Sequence, residues 1–233
     1  MANRKILIVG GGGFIGRHLC RQARDGGDAV VSLSLNEPRF QIEGVEDLRA
    51  DLVDRGSVNS ALGGRRFTHV VNAGGYILHQ LFKEGGRDLI RAHFDGLQNL
   101  IEVLDRSELQ RFVNIGSSDE YGDTPAPQGE ANRESPISPY SLGKAAATQL
   151  LQMLWRSEQF PSVTLRLFLT YGPGQDSRRF IPQLIQGCLA DKTFPVSEGR
   201  QKRDFCFVGD IAGGVLRSLD VDAANGEVFN LAS

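Results

Sequence analysis

The run Lys5-Ile6-Leu7-Ile8-Val9 passes without a break into Gly10-Gly11-Gly12-Gly13-Phe14-Ile15-Gly16. The first five residues read as a buried strand, and the glycines that follow demand a tight reversal before the next periodic stretch. Gly10, Gly13 and Gly16 stand at three-residue steps, a GxxGxxG pattern. A strand that turns this sharply into a helix presents unpaired N–H groups and the positive end of the helix dipole, and missing Cβ atoms let backbone approach a pyrophosphate. The context points to a dinucleotide seated on Gly10, Gly13, Phe14, Ile15 and Gly16, at the opening of a parallel α/β sheet.

The remainder of the chain keeps that alternation. Further strands are expected at Ala29–Leu33, Val45–Arg49, His69–Asn72, Arg111–Ile115 and Ser162–Phe168, several of them apolar on both faces. Helices are expected near Ile15–Arg24, Ser57–Leu62, Gly86–Arg106, Pro139–Ser157 and Phe180–Ala190. After Arg200 the order is strand Asp204–Val208, helix Ile211–Leu219 and strand Val228–Leu231. The fold class is therefore α/β, a doubly wound parallel sheet. Gly122–Pro139 carries four prolines and few apolar residues, so it reads as a long loop feeding a helix.

Composition removes several alternatives. With 26 basic against 28 acidic side chains, the net charge of −2 gives no footprint for a nucleic-acid partner. No run approaches the roughly 18 apolar residues of a membrane span, and Met1–Lys5 followed at once by a strand is too short for a secretion signal. A soluble, cytoplasmic protein is expected. Cys20, Cys188 and Cys206 are odd in number and far apart, and the four histidines show no metal-ligand spacing, so neither a disulfide framework nor a metal is expected.

An acidic residue some 20 positions beyond the glycine turn would hold the adenosine ribose and favour NAD. Here Ser34 stands closest to that position, with Arg39 and Arg17 as the nearest cations, which favours NADP and leaves NAD possible. Glu37 could reach the ribose after a small shift of its loop. Asp51 could accept from the adenine amino group or could simply cap a helix.

Tyr140 and Lys144, four residues apart at a helix start, share one helix face. A nearby ammonium is expected to lower the phenol pKa, so that the phenol can exchange a proton with a substrate oxygen. The strand at Arg111–Ile115 ends in Gly116-Ser117-Ser118-Asp119-Glu120-Tyr121-Gly122, placing Ser117 at the sheet edge where ligands bind. There its hydroxyl could polarise the reacting oxygen.

Taken with Leu165-Arg166-Leu167-Phe168-Leu169-Thr170-Tyr171-Gly172-Pro173-Gly174 and Lys202–Ala212, these motifs resemble, in order and over nearly the whole chain, the extended short-chain dehydrogenase/reductases. More narrowly, they are similar to the NAD(P)-dependent nucleotide-sugar epimerase/dehydratase family. The resemblance implies a Rossmann fold in residues 1–168 and a partial substrate-binding region, reduced or cut short, in residues 169–233. It implies Ser117 orienting a sugar C4 oxygen, Tyr140 as acid/base, and Lys144 as its activator and a ribose ligand. It sets Leu52, Ala73, Tyr140 and Lys144 beside the cofactor, and Ser118, Asp119, Thr170, Arg179, Phe180 and Arg203 beside a nucleotide-sugar substrate. A homodimer through the helices at Gly86–Arg106 and Pro139–Ser157 is the family's habit.

Departures from the family pattern narrow the expectation. Leu169 stands where an Asn is frequent, Asn72-Ala73-Gly74-Gly75 replaces His-Leu-Ala-Ala, and His93 stands where Asn is common. The dehydratase hydroxyl-Asp-Glu run is displaced here to Ser118-Asp119-Glu120, which disfavours elimination while Asp119 keeps it open. With no acid at the ribose position, the expected activity is an NADP(H)-dependent oxidoreductase acting at C4 of a 4-keto-6-deoxy nucleotide sugar. The alternative is an NAD-dependent 4-epimerase; a non-catalytic dinucleotide-binding module is disfavoured because Tyr140 and Lys144 are both present.

Overall fold

A computed structural model describes residues 4–38, 40–193 and 195–233. Strands β1 (Lys5–Val9), β2 (Ala29–Ser34), β3 (Val45–Arg49), β4 (His69–Asn72), β5 (Arg111–Ser117), β6 (Ser162–Leu167) and β9 (Val228–Leu231) make one sheet in the order β3-β2-β1-β4-β5-β6-β9. Every pairing in it is parallel. The chain winds outward from β1 to β3 on one side, then returns to build β4 onward on the other. The order thus reverses between β1 and β4, and the crevice beyond their carboxyl ends is where such sheets take ligands.

Helices cover both faces. Because side chains alternate along a strand, Ile6 and Ile8 face α1 (Phe14–Asp25) and α7 (Val208–Ser218), meeting Leu19, Ala23, Ile211 and Val215. Leu7 and Val9 face the opposite layer, built from α2 (Arg55–Leu62), α4 (Asp95–Val103) and α5 (Pro139–Glu158), where Leu62, Leu97, Leu100 and Leu151 close the core. β3 is the polar edge strand, Val-Glu-Asp-Leu-Arg, mostly open to solvent.

Three expectations are corrected. The helix expected at Gly86–Arg106 is two, α3 (Gly86–His93) and α4, divided at Phe94, although backbone bonding runs on through the break from Phe94 N–H to the Ile90 carbonyl and from Gln98 N–H to the Phe94 carbonyl. The sixth expected strand stops at Leu167, and Leu169–Tyr171 (β7) leaves the sheet to pair with β8 (Phe205–Phe207) in a separate two-stranded ribbon. Helix α7 begins at Val208, three residues before the expected Ile211, straight from the end of β8. Helix α6 (Phe180–Leu189) follows the β7 loop. No helix among the described residues is long and apolar enough to cross a membrane.

Candidate active site

The glycine bend is built as its chemistry requires. Gly10 has φ +78°, and a Cβ there would lie 2.6 Å from the Ala73 carbonyl oxygen, while one on Gly16 would lie 2.0 Å from that of Gly10. Helix α1 starts at Gly13 with no side chain bonded to its first amides and no acid in its first turn. Those free amides, the dipole and the Cβ-less backbone fit a pyrophosphate, so this chain can hold a nicotinamide dinucleotide here.

The ribose end departs from expectation in one residue. Arg17 is not available there: its guanidinium donates to the Pro173 carbonyl at 2.8 Å and lies against Gly174, joining α1 to the loop after β7. Arg39 lies outside the described residues. Ser34 accepts the Gly12 amide at 2.9 Å, which pins the end of β2 to the bend. Glu37 is ion-paired with Arg49 at 3.0 Å, both well exposed. Asp51 caps its own turn through the Val53 amide at 2.9 Å and still borders the cleft beside Leu52.

A single cleft of about 1780 Å³ runs over the carboxyl ends of the sheet. Its walls include Gly10, Gly13, Phe14, Ile15, Gly16, Ser34, Asp51, Leu52 and Ala73, together with Ser118, Asp119, Thr170, Arg179, Phe180 and Arg203. Ser117 ends β5, which lies in the sheet between β4 and β6, and Tyr140 and Lys144 of α5 line the same cleft. Apart from Arg39, every residue expected at the site is therefore brought to one cavity.

Helix α5 delivers the central pair. Ser138 caps it through the Ser141 amide at 3.1 Å, and Pro139 at the first position suits the fixed φ that a helix start needs. Tyr140 and Lys144 then follow one turn apart, both buried against β5. The expected electrostatics do not hold here. Lys144 Nζ donates to the Ile115 carbonyl at 2.7 Å. Burial pushes the Tyr140 phenol up to about 12; the charges of Asp119 and Glu120 add to that, and the Ser117 hydrogen bond opposes it. Desolvation outweighs a cation whose amine is bonded elsewhere. Burial also draws Lys144 down to about 8, with Glu120 pulling the other way.

His93 and His79 are residues whose place at the site sequence reasoning missed. The His93 ring meets Tyr140 edge to face with centroids 5.0 Å apart, and its Nε2 donates to the Tyr76 carbonyl at 3.0 Å. A carbonyl can only accept, so that nitrogen carries a proton. Gly75 explains the substitution pattern: with φ +106°, a Cβ there would sit 2.2 Å from the His93 ring. The histidine at 93 and the glycine at 75 are thus one steric unit, a link that spacing along the chain does not signal. His79, exposed on the cleft wall, lies 6.3 Å from the Tyr140 ring. Gln175 also lines the cleft, donating to the Thr170 carbonyl at 2.7 Å while its side-chain oxygen is buried without a partner.

The profile of the NAD dependent epimerase/dehydratase family matches residues 6–232. Among curated proteins, the chain is 27% identical to the uncharacterized UDP-glucose epimerase YtcB of Bacillus subtilis (strain 168), an alignment covering 97% of this chain and 76% of that protein. It is 28% identical to the dTDP-glucose 4,6-dehydratase of Neisseria gonorrhoeae, over 98% of this chain and 72% of that one. Among solved structures, MoeE5 in complex with UDP-glucose and NAD superposes with a TM-score of 0.83 at 25% identity, over 98% of this chain and 76% of its own. The UDP-N-acetylglucosamine 4-epimerase from Methanobrevibacter ruminantium M1, in complex with UDP-N-acetylmuramic acid, gives 0.84 at 25% identity, over 100% and 77%.

Proposed function

Since the chain belongs to the NAD dependent epimerase/dehydratase family, we propose that it carries out hydride transfer at C4 of a nucleotide-linked hexose, acting in the reducing direction on a 4-keto-6-deoxy sugar. The observation that carries this reading is that Ser117, Tyr140 and Lys144 line one cleft together with the glycine bend and with Arg179 and Arg203. The bound dinucleotide supplies the hydride. Ser117 donates a hydrogen bond to the C4 oxygen, and Tyr140 delivers the proton as negative charge grows there. A phenol held at about 12 carries its proton at neutral pH, which suits an acid better than a base. Lys144, anchored on Ile115, holds the cofactor ribose and brings positive charge to the reacting end. Arg179 and Arg203, both exposed on the cleft wall, grip the substrate pyrophosphate.

NADP is the cofactor we infer, because Ser34 stands where a carboxylate would repel a 2′-phosphate and the charge of Glu37 is matched by Arg49. A second reading, an NAD-dependent 4-epimerase, is favoured by relatives and neighbours that carry epimerase names or bound NAD. The 4,6-dehydratase reading is weakened because Glu120 is fully buried and only Asp119 of the acidic pair reaches the cleft. Assembly as a homodimer through the outer faces of α3, α4 and α5, with Leu142 and Met153 of α5 exposed, belongs to the same proposal. The test is the purified protein's nicotinamide absorbance. NADPH consumed on addition of a 4-keto-6-deoxy nucleotide sugar supports the reductase. Copurified NAD that is reduced and reoxidised within a turnover, without net consumption, supports the epimerase.

A further inference from the structure

We propose that Glu120 is the positioning residue for Ser117, clamping the serine backbone from behind the cleft so that its hydroxyl faces Tyr140 and the reacting oxygen. The inference rests on the reading above, in which Ser117 faces that oxygen. Glu120 is fully buried and, unlike its neighbours Ser117, Ser118 and Asp119, does not border the cleft. One carboxylate oxygen accepts the Ser117 amide at 2.9 Å. The other accepts the Thr148 hydroxyl of α5 and the Arg166 guanidinium of β6, both at 2.9 Å. Three elements therefore meet at one side chain. Space for it exists because residue 116 is glycine: a Cβ there would lie 2.7 Å from the carboxylate.

The serine's geometry follows from this clamp. Ser117 Oγ accepts the Asp119 amide at 3.1 Å, completing a reciprocal cap with Glu120 at the start of the short 3-10 turn Ser118–Tyr121. A hydroxyl has one proton to give, and with a lone pair held inward by Asp119 that proton is free to point into the cleft. Burying a carboxylate is costly unless it is paired and fully bonded, and Glu120 meets both conditions. Arg166 is itself wrapped by Glu120, by Glu134 and by the ring of Tyr121 at 4.6 Å. The charged and titratable groups around the clamp are Arg166 on β6, Glu134 on the preceding loop, Lys144 and Tyr140 on α5, His93 on α3, and Asp119 and Tyr121 on the turn. Among them Lys144 feels Glu120 directly, as its favourable counter-charge.

The test pairs Glu120→Gln with Thr148→Val and Thr148→Ser, in the full chain with dinucleotide bound. Glu120→Gln is expected to lower kcat about 10- to 100-fold, the scale of a misaligned donor, with KM for the nucleotide sugar within about twofold. It should also move the basic limb of the pH–rate profile downward, because Lys144 loses the charge that holds its proton. Hydrogen exchange at the Ser117 and Asp119 amides should rise at least about tenfold, a readout that needs no turnover. Should Glu120→Gln fail to fold, Thr148→Val is expected to lower kcat and speed the same amides, with Thr148→Ser restoring both. Unchanged exchange at Ser117, or wild-type kcat and pH profile in Glu120→Gln, would overturn the inference. A wild-type chain that turns over no nucleotide sugar would defeat the functional reading instead, leaving exchange to decide the clamp.

Discussion

Helices α5 and α6 face the same cleft, yet they are held in place by different means. α5 has nine of its 20 residues buried, a reciprocal serine cap at its start and Pro139 in its first turn. α6, Phe-Ile-Pro-Gln-Leu-Ile-Gln-Gly-Cys-Leu, is the more apolar sequence, but none of its ten residues is buried and no side chain caps it; Ile185 is 51% and Leu189 83% exposed. An apolar sequence stabilises a helix only when something covers it. The residues proposed for chemistry ride on the element locked into the core, and the residues proposed to grip the substrate, Arg179 and Phe180, sit at the head of the element that is not. Rigid placement of the reacting groups beside an adaptable binding wall is the arrangement expected where geometry must be accurate at one end and tolerant at the other.

That contrast can be broken by acid first. Burial, with the Lys144 charge assisting, holds His93 at about 3, against 6.5 for the free group. Between those values the unfolded chain takes up a proton that the folded chain refuses. The stabilisation is complete above pH 6.5 and is lost as pH falls toward 3, a span worth on the order of 5 kcal/mol. Urea unfolding of the wild type and His93→Asn should show the wild type losing more stability on going from about pH 7 to about pH 4. Parallel pH dependence in the two proteins would contradict the buried neutral imidazole against α5.

Side-chain truncation gives the next largest effect. Leu151→Ala, in the packed face of α5, should cost about 3 kcal/mol, whereas Ile185→Ala on α6 should stay within about 0.5 kcal/mol. Equal losses in urea unfolding would mean that α6 is covered in solution. Smallest is the cap. Ser138→Ala should destabilise by about 1 kcal/mol, while Arg179→Ala, at the uncapped start of α6, should leave the midpoint unchanged and weaken nucleotide-sugar binding.

Much of this was legible along the chain, and the failures have physical causes. β1, β3, β4 and β9 run between the residues expected of them, and the glycine bend announced itself because conformational need and residue type coincide there. The break at Phe94 was hidden because the helical hydrogen bonds continue across it. β7 was hidden because Ser162–Tyr171 is extended nearly throughout, and only pairing partners distant in sequence divide it in two. At the site, the motif residues Ser117, Tyr140 and Lys144 could be read as cleft residues, whereas His79, His93 and Gln175 could not. The electrostatics of the motif residues could not be read either, because the height of the Tyr140 pKa, the attachment of Lys144 to Ile115 and the withdrawal of Glu120 from the cleft depend on burial and on partners contributed by other strands and helices.

The central claim is that the Tyr140 hydroxyl exchanges the proton that accompanies hydride transfer. Single-turnover measurement of nicotinamide absorbance after mixing the dinucleotide-loaded protein with a 4-keto-6-deoxy nucleotide sugar, in wild type and Tyr140→Phe, tests it directly. The account predicts that the variant binds dinucleotide with wild-type affinity and transfers hydride about 1000-fold more slowly. Hydride transfer at the wild-type rate in Tyr140→Phe would contradict it.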